Sequence, residues 1–277
     1  MSYGSVRPMA KMTEMEDLFR SSPDEQERIG RNVGNFSVAL FGVNDSPDFR
    51  NVSLVGSGTL VLLNKAHYVL TAAHVWRNGL SKFRSTGLTL KEDVDHCFPI
   101  LNAAIDVREM PETKLDEWGP DIALLRIPEM KVGSIEAHRV FYNLDKDRKG
   151  TEKDCLRARI LNGTPGVLAK GVGKIQVVEI HGMYVSIDAD FYDHDKFDLI
   201  DFDMDTTLPQ VIKDFRGVSG GGVWDVQIFP TGDGKKFDST ETLVGVAFHQ
   251  LGLKDNIQTV RCHGPRTIRA LIESTKA

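Results

Sequence analysis

From Phe36 to Arg261 the apolar residues come in short runs broken by Gly, Asn, Asp or Pro. Runs of this length, rich in Val, Leu, Ile, Thr and Phe, read as strands. The pattern predicts strands at Phe36–Val43, Ser53–Leu63, His67–Ala72, Lys174–Ile180, Met183–Asp188, Leu199–Asp203, Gly221–Phe229, Thr242–Gln250 and Gln258–Arg261. Asn64-Lys65-Ala66 is the short link between the second and third, Gly56 and Gly58 are bends, and residues 80–118 are expected to add further strands. The period changes at both ends. Thr13-Glu14-Met15-Glu16 and Ser22-Pro23-Asp24-Glu25 fit the S/T-x-x-E capping box, with Pro23 suited to a first helical position. Met15, Leu18 and Phe19 fall at helical spacing, so one or two short helices are expected between about Met12 and Asn32. Pro265 opens a last helix with Ile268, Leu271 and Ile272 on one face. The chain is therefore expected to be all-β with a helix at each end and no internal repeat.

Composition narrows the setting. The 277 residues, 41% hydrophobic and 26% charged, supply ample core for one large or two modest domains. A net charge of −5 gives no reason to expect nucleic acid or an anionic membrane as partner. No apolar run is long enough to span a bilayer, and Met1 to Met15 shows no apolar signal core, so the expected location is cytoplasmic. Cys97, Cys155 and Cys262 are odd in number and scattered, which argues against a disulfide framework or a zinc site. The mixed charges of Asp145-Lys146-Asp147-Arg148-Lys149-Gly150 read as a solvated loop. Asp193, Asp195, Asp198, Asp201, Asp203 and Asp205 raise a calcium hypothesis. They alternate instead with Phe197, Leu199, Ile200, Phe202 and Met204, at no EF-hand spacing, and are read as a polar strand face. No metal or other cofactor is expected.

Three stretches carry chemistry. In Gly217-Val218-Ser219-Gly220-Gly221-Gly222 a serine is crowded by glycines. Such glycines allow a turn in which the N–H groups of Gly217 and Ser219 converge on one spot, an oxyanion hole beside a hydroxyl. Read alone, the hexapeptide is a Gly-rich hairpin turn with an incidental serine. In Tyr68-Val69-Leu70-Thr71-Ala72-Ala73-His74-Val75 a strand ends in small residues and a histidine; in Gly119-Pro120-Asp121-Ile122-Ala123-Leu124-Leu125 an aspartate opens an apolar strand. Alone, the histidine reads as structural and the aspartate as a turn residue. In the order His74, Asp121, Ser219 they resemble the chymotrypsin-like (trypsin-like) serine peptidases, in a disulfide-poor microbial or intracellular form.

The resemblance implies two six-stranded antiparallel β-barrels across residues 35–273. Barrel one would cover about 35–130, a connection 131–155, barrel two 156–263 and a C-terminal helix 264–273. Residues 1–34 would be a helical extension that covers a barrel end, or a docking or inhibitory segment for a regulatory partner. It implies a serine endopeptidase acting on protein or peptide, with catalytic His74, Asp121 and Ser219 and oxyanion donors at Gly217 and Ser219. The alternative is a catalytically silent, peptide-holding module on the same fold. Phe248, His249 and Gln250 would lie beside the substrate on the strand Leu243–Gln250, in a β-augmentation mode. Six residues before the serine stands Lys213, followed by Asp214. Lys213 at the pocket base would oppose a basic P1 residue, Asp214 there would favour one, and Phe248 and Gln250 would define the pocket if neither reaches it. Secreted relatives place an aspartate before the serine to pair with a newly cut N-terminus; Val218 provides no such carboxylate.

Overall fold

In a computed structural model of the chain, the described residues are 17, 19, 21–44, 52–90, 97–110, 119–146, 155–172, 175–178, 182–186, 190–208, 211–231 and 236–275. The first sheet uses β1 (Ser37–Val43), β2 (Val52–Leu63), β3 (Ala66–Thr71), β4 (Ser85–Leu88), β5 (Phe98–Leu101), β6 (Asp106–Glu109), β7 (Ala123–Arg126) and β8 (Tyr142–Asn143). Their order is β5-β4-β1-β2-β3-β7-β6, with β8 added in parallel on β2. The second group is β9 (Leu156–Gly163), β10 (Ala169–Val172), β11 (Ile175–Val178), β12 (Gly182–Ser186), β13 (Tyr192–His194), β14 (Phe197–Asp205), β15 (Gly222–Pro230), β16 (Phe237–Gln250) and β17 (Ile257–His263). Seven of these form a sheet in the order β12-β9-β15-β16-β17-β14-β13, and β10 and β11 pair as a separate ribbon. Helices among the described residues include α1 (Pro23–Gly34), α2 (Glu129–Glu136) and α3 (Pro265–Ser274).

The chain is thus mostly β, built on two antiparallel sheets, one a half-barrel and the other open. Two closed six-stranded barrels were expected; the sheets have eight and seven strands, and neither strand order closes into a ring among the described residues. The hairpin link between β2 and β3 has both Asn64 and Lys65 at positive φ, 49° and 64°. That conformation matches the twist of tightly linked strands and explains why so short a connection suffices.

Apolar residues from both sheets meet in one core. Tyr68, Leu70, Leu124 and Tyr142 of the first sheet join Ile160, Trp224, Val226 and Val246 of the second. Ile29 and Val33 of α1 enter the same cluster, as do Ile268 and Leu271 of α3. Trp224 is its centre: fully buried, it stacks on Phe36 at 4.9 Å and meets the edge of Tyr142 at 5.2 Å. The helical extension is therefore knitted into the body of the protein. Ser22 makes no side-chain cap bond, and the Glu25 side chain of the expected capping box is engaged by Arg28 and by the N–H of Phe237. The Thr13–Glu16 box, Met15 and Leu18 lie outside the described residues.

The acidic run does structural work strand by strand. Asp198 is buried, and its carboxylate accepts bonds from the N–H groups of Arg266 and Thr267, both at 3.0 Å, at the start of α3. A carboxylate there satisfies donors that have no partner within the helix. Asp201 holds Arg261 at 2.9 and 2.8 Å, and Asp203 accepts from the hydroxyl of Thr259.

Replacing Trp224 with Ala should cost roughly 3–5 kcal/mol, with a much smaller loss for Trp224→Phe. Chemical denaturation of the two variants measures this. Near-equal stability of Trp224→Ala and wild type would show that the inter-sheet core does not hinge on this ring.

Candidate functional site

The loop Gly217–Gly222 joins the segment after β14 to β15. Gly217 and Gly220 have φ of +99° and +89°, and a Cβ on Gly220 would stand 2.0 Å from the carbonyl oxygen of Ser57. Both positions therefore require glycine. The N–H groups of Val218, Gly220 and Gly221 are bonded to Phe215, Ala247 and Val218 carbonyls at 3.0, 2.7 and 2.7 Å. Among the described residues the N–H groups of Gly217 and Ser219 make no hydrogen bond. Their peptide planes are nevertheless fixed. The carbonyl of Arg216 accepts from Gly166 N–H at 2.6 Å, and that of Val218 accepts from Gly221 N–H at 2.7 Å. Since a trans peptide places N–H opposite C=O, each anchored carbonyl sets the direction of the open donor.

A residue outside the sequence motifs secures this loop. Ser57 on β2 is buried, and its N–H donates to the carbonyl of Ser219 at 2.8 Å. Its hydroxyl donates to the carbonyl of Gly217 and accepts from Thr164 N–H, both at 2.7 Å. Its own carbonyl accepts from the hydroxyl of Thr71, three residues before His74, at 2.7 Å.

His74 follows β3 and leads into a π-helical turn, Val75–Gly79. Asp121 precedes β7. Both oxygens of its carboxylate serve His74: Oδ2 lies 2.5 Å from Nδ1, and Oδ1 accepts the backbone N–H at 2.7 Å. A carboxylate only accepts, so Nδ1 carries the proton and the lone pair of the neutral ring is on Nε2. Burial pushes the Asp121 carboxyl up, but the bonds and charge of His74 outweigh it and hold the group below its ordinary range. Arg77 adds a positive charge 3.8 Å from Oδ1 and pairs with Glu109 at 2.9 Å.

A second histidine, which no motif in the sequence singles out, backs this pair. His263 is fully buried, stacks on Phe248 at 4.0 Å and accepts the Asp121 N–H on Nε2 at 3.0 Å. Burial drives its pKa down to about 4, against smaller opposing effects of the Asp121 and Asp198 charges. It is neutral at pH 7, as an acceptor must be.

His74, Asp121 and Ser219 line one cavity of about 370 Å³, with Phe215, Arg216, Val218, Phe248, His249 and Gln250 among the other walls. Among the described residues no hydrogen bond joins the Ser219 hydroxyl to His74. Lys213 is exposed and does not line the cavity. Asp214 does not line it either; its carboxylate holds Arg216 in a double contact. None of the three cysteines is in a disulfide. Among the described residues no three His, Cys, Asp or Glu side chains are gathered to hold a metal, and no helix is long and apolar enough to cross a membrane. No protein-family profile matches the chain, and no curated protein is significantly similar to it.

The buried histidine has a consequence for stability. Its pKa is near 6.5 in the unfolded chain and about 4 in the folded one, so below pH 6.5 the unfolded chain takes up a proton that the folded chain refuses. Stability should fall between pH 6.5 and 4, by on the order of 3 kcal/mol. Asp121, held low, loses its contribution only beneath its usual range, in a separate and more acidic window. Urea unfolding across pH should show the first decline in wild type and a flatter profile in His263→Gln. An unchanged slope in that variant would assign the decline to other groups.

Proposed function

We propose that the protein is a serine endopeptidase on a two-barrel, chymotrypsin-like fold. The observation that carries the reading is the shared cavity: a histidine oriented by a carboxylate on Nδ1, beside a serine whose loop leaves two fixed N–H donors open. In this reading Nε2 of His74 takes the proton from the Ser219 hydroxyl as Oγ attacks the scissile carbonyl carbon. The carbonyl oxygen becomes an oxyanion held by the Gly217 and Ser219 N–H groups, worth roughly 3 kcal/mol per donor. The imidazolium, stabilised by Asp121, then protonates the leaving amine, and water repeats the sequence to release the acid. β15 pairs with β16 only up to Val246, so the following residues Phe248–Gln250 offer an edge along the cavity for an extended peptide.

A second reading, a silent peptide-holding module, draws on the missing bond between Ser219 and His74. Such bonds are often loose before substrate binds, and they tighten in the complex. A fluorophosphonate probe separates the two: covalent labelling at Ser219 is expected, and a chain that resists the probe while binding peptide is the silent module. Ser219→Ala, His74→Ala and Asp121→Asn should each fold and lose nearly all hydrolysis, since the members act as a unit. Wild-type turnover in Ser219→Ala would overturn the mechanism.

Activity should not need a newly cut N-terminus. Val218 is buried among Leu161, Phe215 and Ala247, and the loop is already ordered by uncharged contacts. Purified full-length protein is expected to hydrolyse peptides. An activation of a hundredfold or more on cleavage near Gly34 would contradict this.

A further inference from the structure

Resting on the peptidase reading, we infer that the site selects a P1 side chain ending in an uncharged acceptor oxygen, the carboxamide of Gln or Asn. The argument begins with the orientation of one amide. Gln250 Oε1 accepts the N–H of Phe215 at 2.9 Å. Only the oxygen of a carboxamide accepts, so this bond fixes which end of the side chain is which. The Nε2 end has no partner among the described residues, and Gln250 lines the cavity beside Ser219. Phe215, Val218, Phe248 and Val260 supply apolar walls to the same cavity, while Arg216 and His249 line it as well.

With Oε1 held by Phe215, the end of Gln250 left to a ligand in this cavity is a donor. A Lys or Arg side chain would bring donors against that donor. Carboxylates that might receive such a cation are engaged elsewhere: Asp121 by His74, and Asp214 by Arg216. An apolar side chain would displace water from the half-buried Nε2 group and leave it without a partner, which costs binding energy. A Glu side chain would bury its charge against a neutral amide, with Arg216 already held by a carboxylate. An uncharged carboxamide oxygen meets the donor without any of these penalties.

The test is cleavage-site profiling of the full chain on a peptide library varied at one position, with products read by mass spectrometry. Gln or Asn at P1 should be cut with kcat/KM roughly tenfold or more above Leu, Lys or Glu. Gln250→Glu keeps an oxygen for the Phe215 N–H and turns the free end into an acceptor; its preference should move from Gln to Lys. Gln250→Leu should flatten the profile. Preference for Lys, Arg or an apolar residue in wild type overturns the inference, and so does Glu above Gln, which would give selection to Arg216. An unchanged profile in Gln250→Glu overturns it as well. A chain that cuts no peptide and resists the fluorophosphonate overturns the peptidase reading and this inference with it, whereas cutting after Lys overturns this inference alone.

Discussion

One buried serine joins the half of the molecule that carries His74 to the half that carries Ser219. Ser57 belongs to β2, yet its N–H and hydroxyl hold the carbonyls of Ser219 and Gly217. Its carbonyl receives Thr71, on the strand that ends at His74. All four of its bonds are buried or nearly so, and breaking one leaves a polar group without water to replace the partner. The close approach also dictates sequence: Gly220 must be bare because a Cβ there would strike Ser57 and Thr71 at 2.0 and 2.1 Å. The core around Trp224 brings the sheets together, but it is non-directional. The Ser57 bonds set the register of the half that carries His74 against the half that carries Ser219.

Around Asp121 the electrostatics are equally constrained. A carboxylate this well covered needs donors, and His74 supplies two from one residue. Behind it, His263 must be neutral to accept the Asp121 N–H, and its complete burial keeps it so. Two imidazoles thus meet one residue in opposite roles, one donating to the side chain and the other accepting from the backbone. The assignments follow from burial and bond direction, with no appeal to the reaction.

The parts of the fold that depend on local pattern were legible in the sequence. Strand positions such as Ser53–Leu63, against Val52–Leu63 in the structure, follow from alternation and turn residues. The helix from Pro265 follows from its apolar face. The His74, Asp121 and Ser219 stretches could be singled out because small residues and glycines around a polar group are unusual. Ser57 and His263 could not. Each sits in an ordinary strand, and its importance comes from partners more than a hundred residues away. The Glu25 side chain of the expected Ser22–Glu25 capping box is shared instead between Arg28, one turn on, and the distant N–H of Phe237, a competition the box pattern does not encode. Sheet closure is also a property of how distant strands curl and pair, which short-range periodicity does not encode.

The source of order in the serine loop bears on how such a site is controlled. A loop ordered by an ion pair depends on a charge that must be created, and on salt and pH. Here Val218 is buried in an apolar cluster and the loop's carbonyls are tied by neutral donors from Ser57, Gly166 and Gly221. Neither contribution needs a free amine or titrates near neutrality. The loop is therefore ordered by folding itself, since the same core that brings the sheets together brings Ser57 to the carbonyls of Gly217 and Ser219. Under the proposed reading, control would act by covering the cavity or by limiting what enters it, because the geometry of the two open N–H groups is already set.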